Sequence, residues 1–255
     1  MENIILSAEN IGMRFSTRKG IITALKDLSF TVERGEFVAI VGPSGCGKST
    51  LINILAGMLK PTDGQVLLEG KKVQSVNKKV GMVFQKYAAF PWMTVEQNVS
   101  YGPRIAKLPA NEIKEITARY IKMVGLEGYE HLYPKELSGG MSKRVDIARA
   151  YANSPDVLLM DEPFGALDDI TKKQMQLELL KIWDQEKKTV LFITHDLEEA
   201  LFLANKVIVL QRPAEDKCSL NMMQDIPFAR PRLAELRADP EFIRMKTNLA
   251  EVMIK

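Results

Sequence analysis

From Ile4 to about Val32, apolar and polar residues alternate loosely, as in IILSAENIGMRF and LSFTVE. That pattern predicts two or three antiparallel strands with one face buried. It then gives way to a solid apolar run, EFVAIV at residues 36–41, which suits a strand buried on both faces. Glycines follow, and then a helical period in KSTLINILAGML that Gly57, or Pro61 just beyond, brings to an end. GQVLLEG and VGMVFQ are strand-like again. Roughly residues 94–153 carry helical periodicity, with interruptions expected near Gly102-Pro103 and between Gly125 and Pro134. DVLLM (156–160) returns to β, followed by a helix from about Asp168 to Glu186 and the strands TVLFIT and KVIVL. Residues 211–255 are proline-bearing to about Pro231 and then helical: Asp239 can cap, Pro240 suits the first turn, and Phe242, Met245, Leu249, Val252 and Met253 share one face. The expectation is an α/β fold, a mixed sheet in two halves separated by a helical insert. Its core takes residues 1–87 and 156–210, the insert about 88–155, and a C-terminal extension 211–255.

Composition changes this picture little. With 255 residues the chain can bury a full core. A formal net charge of +3, without a run of five like charges, does not point to nucleic acid. The apolar runs are strand-length, far short of the roughly 18 to 20 residues that span a bilayer. MENIILSAEN lacks the basic and apolar segments of a secretory signal, so a cytosolic chain is expected. Cys46 and Cys218 have neither zinc-like spacing nor disulfide logic and are expected to be thiols without a catalytic role.

The chemistry begins at Gly42 to Ser49. GPSGCGKS fits G-x-x-x-x-G-K-[ST] and lies between a buried strand and a helix, where a phosphate loop must lie. Its glycines let successive N–H groups wrap phosphates, Lys48 adds a point charge, and the Ser49 hydroxyl can ligate Mg²⁺. A magnesium site also needs a carboxylate, and VLLMDEP ends a buried strand on Asp161 and Glu162. Asp161 follows directly on the strand and suits the metal. Glu162, expected to point the other way on an extended chain, suits polarising a water. Further on, LSGG at 137–140 opens a helix whose small residues again invite an anion. These residues predict a nucleotide triphosphatase.

GPSGCGKST, Gln85 after a strand, LSGG, LLMDEP, ALD at 166–168 and His195 after VLFIT occur in order and at the approximate spacing of one family. The chain resembles the nucleotide-binding domain of an ATP-binding-cassette (ABC) transporter to about Leu210. The resemblance implies a P-loop NTPase fold of the ABC ATPase type: a RecA-like mixed sheet, an antiparallel β subdomain and an inserted helical subdomain. It implies ATP and Mg²⁺ as cofactors. Phe15 falls where the family stacks an aromatic on adenine, and a ring face needs no hydroxyl for that; a core strand aromatic is the other reading of it. Gly42, Pro43, Ser44, Gly45, Cys46, Gly47, Lys48, Ser49 and Thr50 form the phosphate loop. Gln85 matches the glutamine that reaches the metal or the lytic water, His195 the switch histidine at the γ-phosphate, and Asp168 the aspartate between two nucleotide sites, with helix capping as a second task. Glu162 remains the general base and Lys48 a catalytic cation. Ser138, Gly139 and Gly140 close, in the family, on ATP held by a second copy, which implies a head-to-tail sandwich of two.

FPWMTVEQNV, GMSKRVDIARA and RPRLAELRADPEF resemble the nitrate, sulfonate, taurine and bicarbonate branch of bacterial importers. Some relatives of that branch take up thiamine- or riboflavin-related compounds, and soluble ABC proteins use ATP closure as a clamp or assembly switch. Import implies two permease subunits, an external solute-binding protein acting indirectly, no nucleic acid, and a peripheral place on the cytoplasmic side of the membrane. Tyr87, Phe90 and Trp92 are expected to be exposed and to suit a groove for a permease helix, with ordinary packing of the insert as the other reading. One departure stands out. The branch commonly has an arginine and a glutamine after the signature methionine, and here Ser142 and Lys143 are expected to alter the helix surface.

Overall fold

A computed structural model of the chain describes residues 3–18, 20–214 and 217–254. Its contacts divide it into two compact units, Met1–Asn77 with Lys187–Lys255, and Lys78–Glu186.

The first unit holds two sheets. One is antiparallel: β1 (Ile4–Thr17) pairs with β2 (Gly20–Glu33) and with β4 (Asp63–Leu68), and β5 (Lys71–Lys72) completes the edge. The alternation in sequence becomes a buried face of Ile5, Ile11, Leu28, Phe30 and Val32. Between Ala8 and Ile11 the register slips, and Asn10 absorbs the slip at φ 50, a conformation asparagine tolerates. The other sheet has β3 (Phe37–Val41) between parallel neighbours β8 (Thr189–Ile193) and β9 (Lys206–Leu210). All five residues of β3 and of β8 are buried. Each such Val, Ile or Phe contributes roughly 1.5–3 kcal/mol by leaving water, which is why these runs read as strands without alternation. Helix α1 (Lys48–Leu55) follows β3 and packs Leu51, Ile52, Ile54 and Leu55 inward.

Two elements of this unit lie outside the sequence expectation. Helix α6 (Leu197–Leu203) separates β8 from β9, and β10 (Leu220–Asp225) adds an antiparallel edge to β9 within the proline-bearing stretch. A helix of seven residues shows too little of its period to be seen, although its cap was visible: Asp196 accepts the N–H groups of Glu198 and Glu199 at 2.9 and 3.3 Å. Its other end is closed from the C-terminal extension. Buried Arg232 donates through Nη1 to the carbonyls of Leu201, Phe202 and Ala204 at 3.0, 3.0 and 2.7 Å, satisfying acceptors that a helix end leaves over. The terminal helix α7 (Pro240–Ile254) starts as expected, with Asp239 accepting from Glu241 N–H at 2.7 Å, and buries Phe242 and Leu249. The extension therefore packs as part of this unit.

In the second unit β6 (Val80–Val83) pairs in parallel with β7 (Val157–Asp161). The helices are α2 (Val95–Ile105), α3 (Ala110–Met123), α4 (Gly139–Ala152) and α5 (Asp169–Glu186). A full capping box, Thr94 with Gln97, starts α2. The break expected near Gly102-Pro103 falls just beyond it, between Ile105 and Ala110, with Pro103 still inside α2. Buried Pro103 removes one i→i−4 donor near the C-terminal end of α2, and its own carbonyl is taken by Leu108 N–H at 3.2 Å.

Candidate nucleotide site

The phosphate loop belongs to the first unit, where β3 delivers it and α1 receives it. Gly42 has no room for a Cβ, which would lie 2.6 Å from the Leu210 carbonyl and 2.7 Å from Cys46 Sγ. Gly47, at φ 98, would meet the Ala24 carbonyl at 2.5 Å. These two glycines are thus set by the path of the chain, and between them Ser44 and Gly45 stay exposed. Lys48 is buried and donates from Nζ to the carbonyls of Gly42 and Pro43 at 2.7 and 3.1 Å, so its ammonium is held inside the loop. Ser49 is exposed on the first turn of α1. Burial pushes the Cys46 thiol above its ordinary value, against the pull of Lys48. From the far side Arg212 closes on Ser44, both Nη2 and Nε donating to its carbonyl, at 2.9 and 3.2 Å. Sequence reasoning missed Arg212, since no motif announces it.

Phe15, on β1, is 38% exposed, which removes the reading of it as a core aromatic. His195 is exposed in the bend between β8 and α6. The bend is fixed on both sides: Asp196 N–H donates to Thr194 Oγ1 at 3.0 Å, and the Thr194 hydroxyl donates to Glu199.

Gln85, Ser138 to Gly140, the acidic pair and Asp168 belong to the second unit. Asp161 ends β7, half-buried. Glu162 corrects one expectation. It is not on an extended chain but at φ 41, in the left-handed region, where the strand breaks into a turn closed by Gly165 N–H on its carbonyl at 3.1 Å. That conformation costs a non-glycine residue roughly 1–2 kcal/mol and is typical of sites where side-chain aim matters more than comfort. The side chain it aims meets Gln85: Nε2 of Gln85 donates to Glu162 Oε2 at 3.4 Å. The two residues assigned to the lytic water from sequence are therefore neighbours. Asp168 caps α5, accepting Thr171 N–H at 3.0 Å, and this contact together with the Thr171 hydroxyl holds its carboxyl below the usual range.

Ser138 caps α4 by accepting Met141 N–H at 3.3 Å. A Cβ on Gly139 would lie 2.4 Å from the Tyr87 hydroxyl, and one on Gly140 2.9 Å from Thr171 Cγ2. The next turn corrects a second expectation. Ser142 and Lys143 are not on the helix surface, for both are buried, Lys143 at 0% exposure. Lys143 Nζ donates to the carbonyls of Phe84 and Gln85 at 2.9 and 3.2 Å and faces Asp146 at 3.5 Å. Burial is the largest influence on both partners, lowering the Lys143 value and raising that of Asp146, while the opposite charge resists each shift. Of the three aromatics, Tyr87 and Trp92 are exposed as expected. Phe90 is half-buried, stacked on Trp92 at 5.5 Å and edge-on to Tyr101 at 4.8 Å.

A loop built for phosphates, an acidic strand end and a helix opening on Ser-Gly-Gly are thus all formed as local structures. The ABC transporter family model matches residues 25–165, more than half the chain. This chain belongs to the ABC transporter family. Its cassette is similar to the aliphatic sulfonates import ATP-binding protein of Bacillus cereus, 42% identical over 90% of this chain and 90% of that protein. It is also similar to the nitrate import ATP-binding protein of Synechococcus elongatus, 40% identical over 96% of this chain and 90% of that one. Among solved structures it resembles a dimeric, post-hydrolysis ATP-binding cassette bound to ADP and Pi. That match has 31% identity and a TM-score of 0.74, covering 88% of this chain and all of that one. The fold is that of an ABC ATPase, and the cassette binds and hydrolyses ATP. Among its described residues no helix is long and apolar enough to cross a membrane.

Proposed function

We propose that this cassette is the ATP-hydrolysing subunit of a bacterial importer, and that it couples ATP-driven closure of two copies to uptake of a small anion of the nitrate, sulfonate, taurine or bicarbonate kind. The observation that carries this reading is similarity over nine-tenths or more of the chain to import ATP-binding proteins. Exposed Tyr87 and Trp92 support it, since aromatic side chains left in water beside a stacked Phe90 suit a helix of a membrane subunit. Two relatives at nearly equal identity act on different solutes, sulfonates and nitrate, so similarity alone does not choose between them.

In this reading residues 1–210 are the cassette and 211–255 its extension. The loop from Gly42 to Thr50 takes the phosphates, with Lys48 turning from the Gly42 and Pro43 carbonyls to the nucleotide. The exposed Phe15 ring stacks on adenine. The Ser49 hydroxyl, the Gln85 amide oxygen and the Asp161 carboxylate would supply oxygen ligands, which fits Mg²⁺, a hard cation usually held by one or two carboxylates together with substrate phosphates. When bound, that ion neutralises charge on the β- and γ-phosphates. Glu162, held at Gln85, accepts a proton from the attacking water, and His195 orients the γ-phosphate. Ser138, Gly139 and Gly140 offer the N-terminus of α4 to ATP held by the second copy, with Asp168 lying between the two sites. The two cassettes lie peripherally on the cytoplasmic side of the membrane. They work with two transmembrane permease subunits that receive solute from an external binding protein, and they engage no nucleic acid.

The test is transport. The cassette, co-expressed with two permease subunits of the proposed importer and reconstituted in liposomes, should take up one of a panel of labelled nitrate, bicarbonate, taurine and alkanesulfonates only with ATP on the cassette's side, and not with Lys48→Ala. ATP hydrolysis by the complete assembly without uptake of any of them would contradict the cargo class.

A further inference from the structure

A lysine at 0% exposure is expensive, because an ammonium stripped of water costs several kcal/mol unless every proton finds an acceptor. Lys143 finds three acceptors, and two of them are backbone carbonyls of one loop, Phe84 and Gln85. Its counter-charge, Asp146, grips the same loop from the other side, both carboxylate oxygens accepting the Ala88 N–H at 3.1 and 3.2 Å. Between these grips, Tyr87 lays its ring face 5.2 Å from the Lys143 ammonium and brings its hydroxyl over Gly139. Residues 84–88 are thus tied to α4 by main-chain atoms on either side of Gln85, while the Gln85 side chain stays exposed and meets Glu162. A charge pair thus holds the backbone on both sides of Gln85.

We propose that Lys143 and Asp146 are positioning residues for ATP hydrolysis: as a clamp on the backbone of residues 84–88, they set Gln85 against Glu162 and couple it to the helix that begins at Ser138. The proposal rests on Gln85 and Glu162 serving the lytic water. The clamp explains why α4 tolerates a fully buried charge pair in its second turn. It also gives the Ser-Gly-Gly helix start a rigid connection to the catalytic glutamine within the same unit.

The experiment is a kinetic cycle on the full chain. Lys143→Met, Gln85→Ala and the double variant are compared for kcat, KM for ATP, affinity for a fluorescent ATP analogue and melting temperature. A misplaced Gln85 should lower kcat by about tenfold or more while analogue affinity stays within about twofold. The double variant should be no slower than Gln85→Ala alone, because the clamp acts only through that residue. Lys143→Gln, an amide able to donate to the same carbonyls, should recover most of the lost rate. A folded Lys143→Met at wild-type kcat beside a slow Gln85→Ala would overturn the clamp, as would losses that multiply in the double variant. A wild-type rate for Gln85→Ala would overturn the reading of Gln85 beneath it. If Lys143→Met proves insoluble, Asp146→Asn enters the same cycle with the same expected non-additivity.

Discussion

At the scale of single residues, Lys48 is a buried cation whose ammonium is held by two carbonyls at 2.7 and 3.1 Å, in a loop shaped to surround an anion. Hydrogen bonds to a charged group are worth about 1.5–3 kcal/mol each. Lys48→Ala should therefore weaken ATP binding by roughly 10- to 100-fold in calorimetry; unchanged affinity and turnover would remove the phosphate-loop assignment. Asp168 offers a test by pH. Its carboxyl is held below the ordinary value chiefly by the Thr171 N–H, so the folded pKa lies under the unfolded one. The stability this confers is complete above the unfolded value, about 3.9, and is lost as pH falls through the folded value. Urea midpoints at pH 7 and pH 3 should accordingly differ more for the wild type than for Asp168→Ala. The residue scale is also where sequence was least legible. Lys143 carries a charge that reads as solvent-exposed, and only the fold shows the three acceptors that permit its burial. Glu162 follows a strand without a glycine or asparagine, so nothing in the local sequence announces φ 41.

At the scale of elements, legibility followed the strength of the periodic signal. β3, β7, β8 and β9 were readable because uninterrupted burial leaves only apolar side chains in a run. α6 was too short for a period, and β10 has an alternation diluted by half-buried and exposed positions on a sheet edge. Pro103 lies inside α2 two residues before its end, so the helix stops just past the proline and not at it. The C-terminal extension, read from sequence only as a helix after a proline-bearing stretch, has a structural task in Arg232. Arg232→Met would leave the Leu201, Phe202 and Ala204 carbonyls without their buried donor. At about 1–3 kcal/mol for each group stranded from water, the variant should lose at least 2 kcal/mol in urea denaturation, even after relaxation. A loss below about 0.5 kcal/mol would show that water replaces the guanidinium.

At the scale of the whole molecule, each nucleotide-binding feature is complete as a local structure, and their division of labour follows from family membership. In the proposed reading LSGG is the feature that calls for a second copy, since a chain with one phosphate loop also offers a capped helix start of Ser138, Gly139 and Gly140 to an anion. The central claim is that ATP joins two copies and that Glu162 ends that state by hydrolysis. It is tested most directly by the mass of purified Glu162→Gln in sedimentation with excess ATP and Mg²⁺. The account predicts a dimer retaining two ATP, with turnover slowed by about 10²- to 10⁴-fold, the range for removal of a general base. A variant that stays monomeric at high concentration while binding ATP, or that hydrolyses it at the wild-type rate, would contradict it.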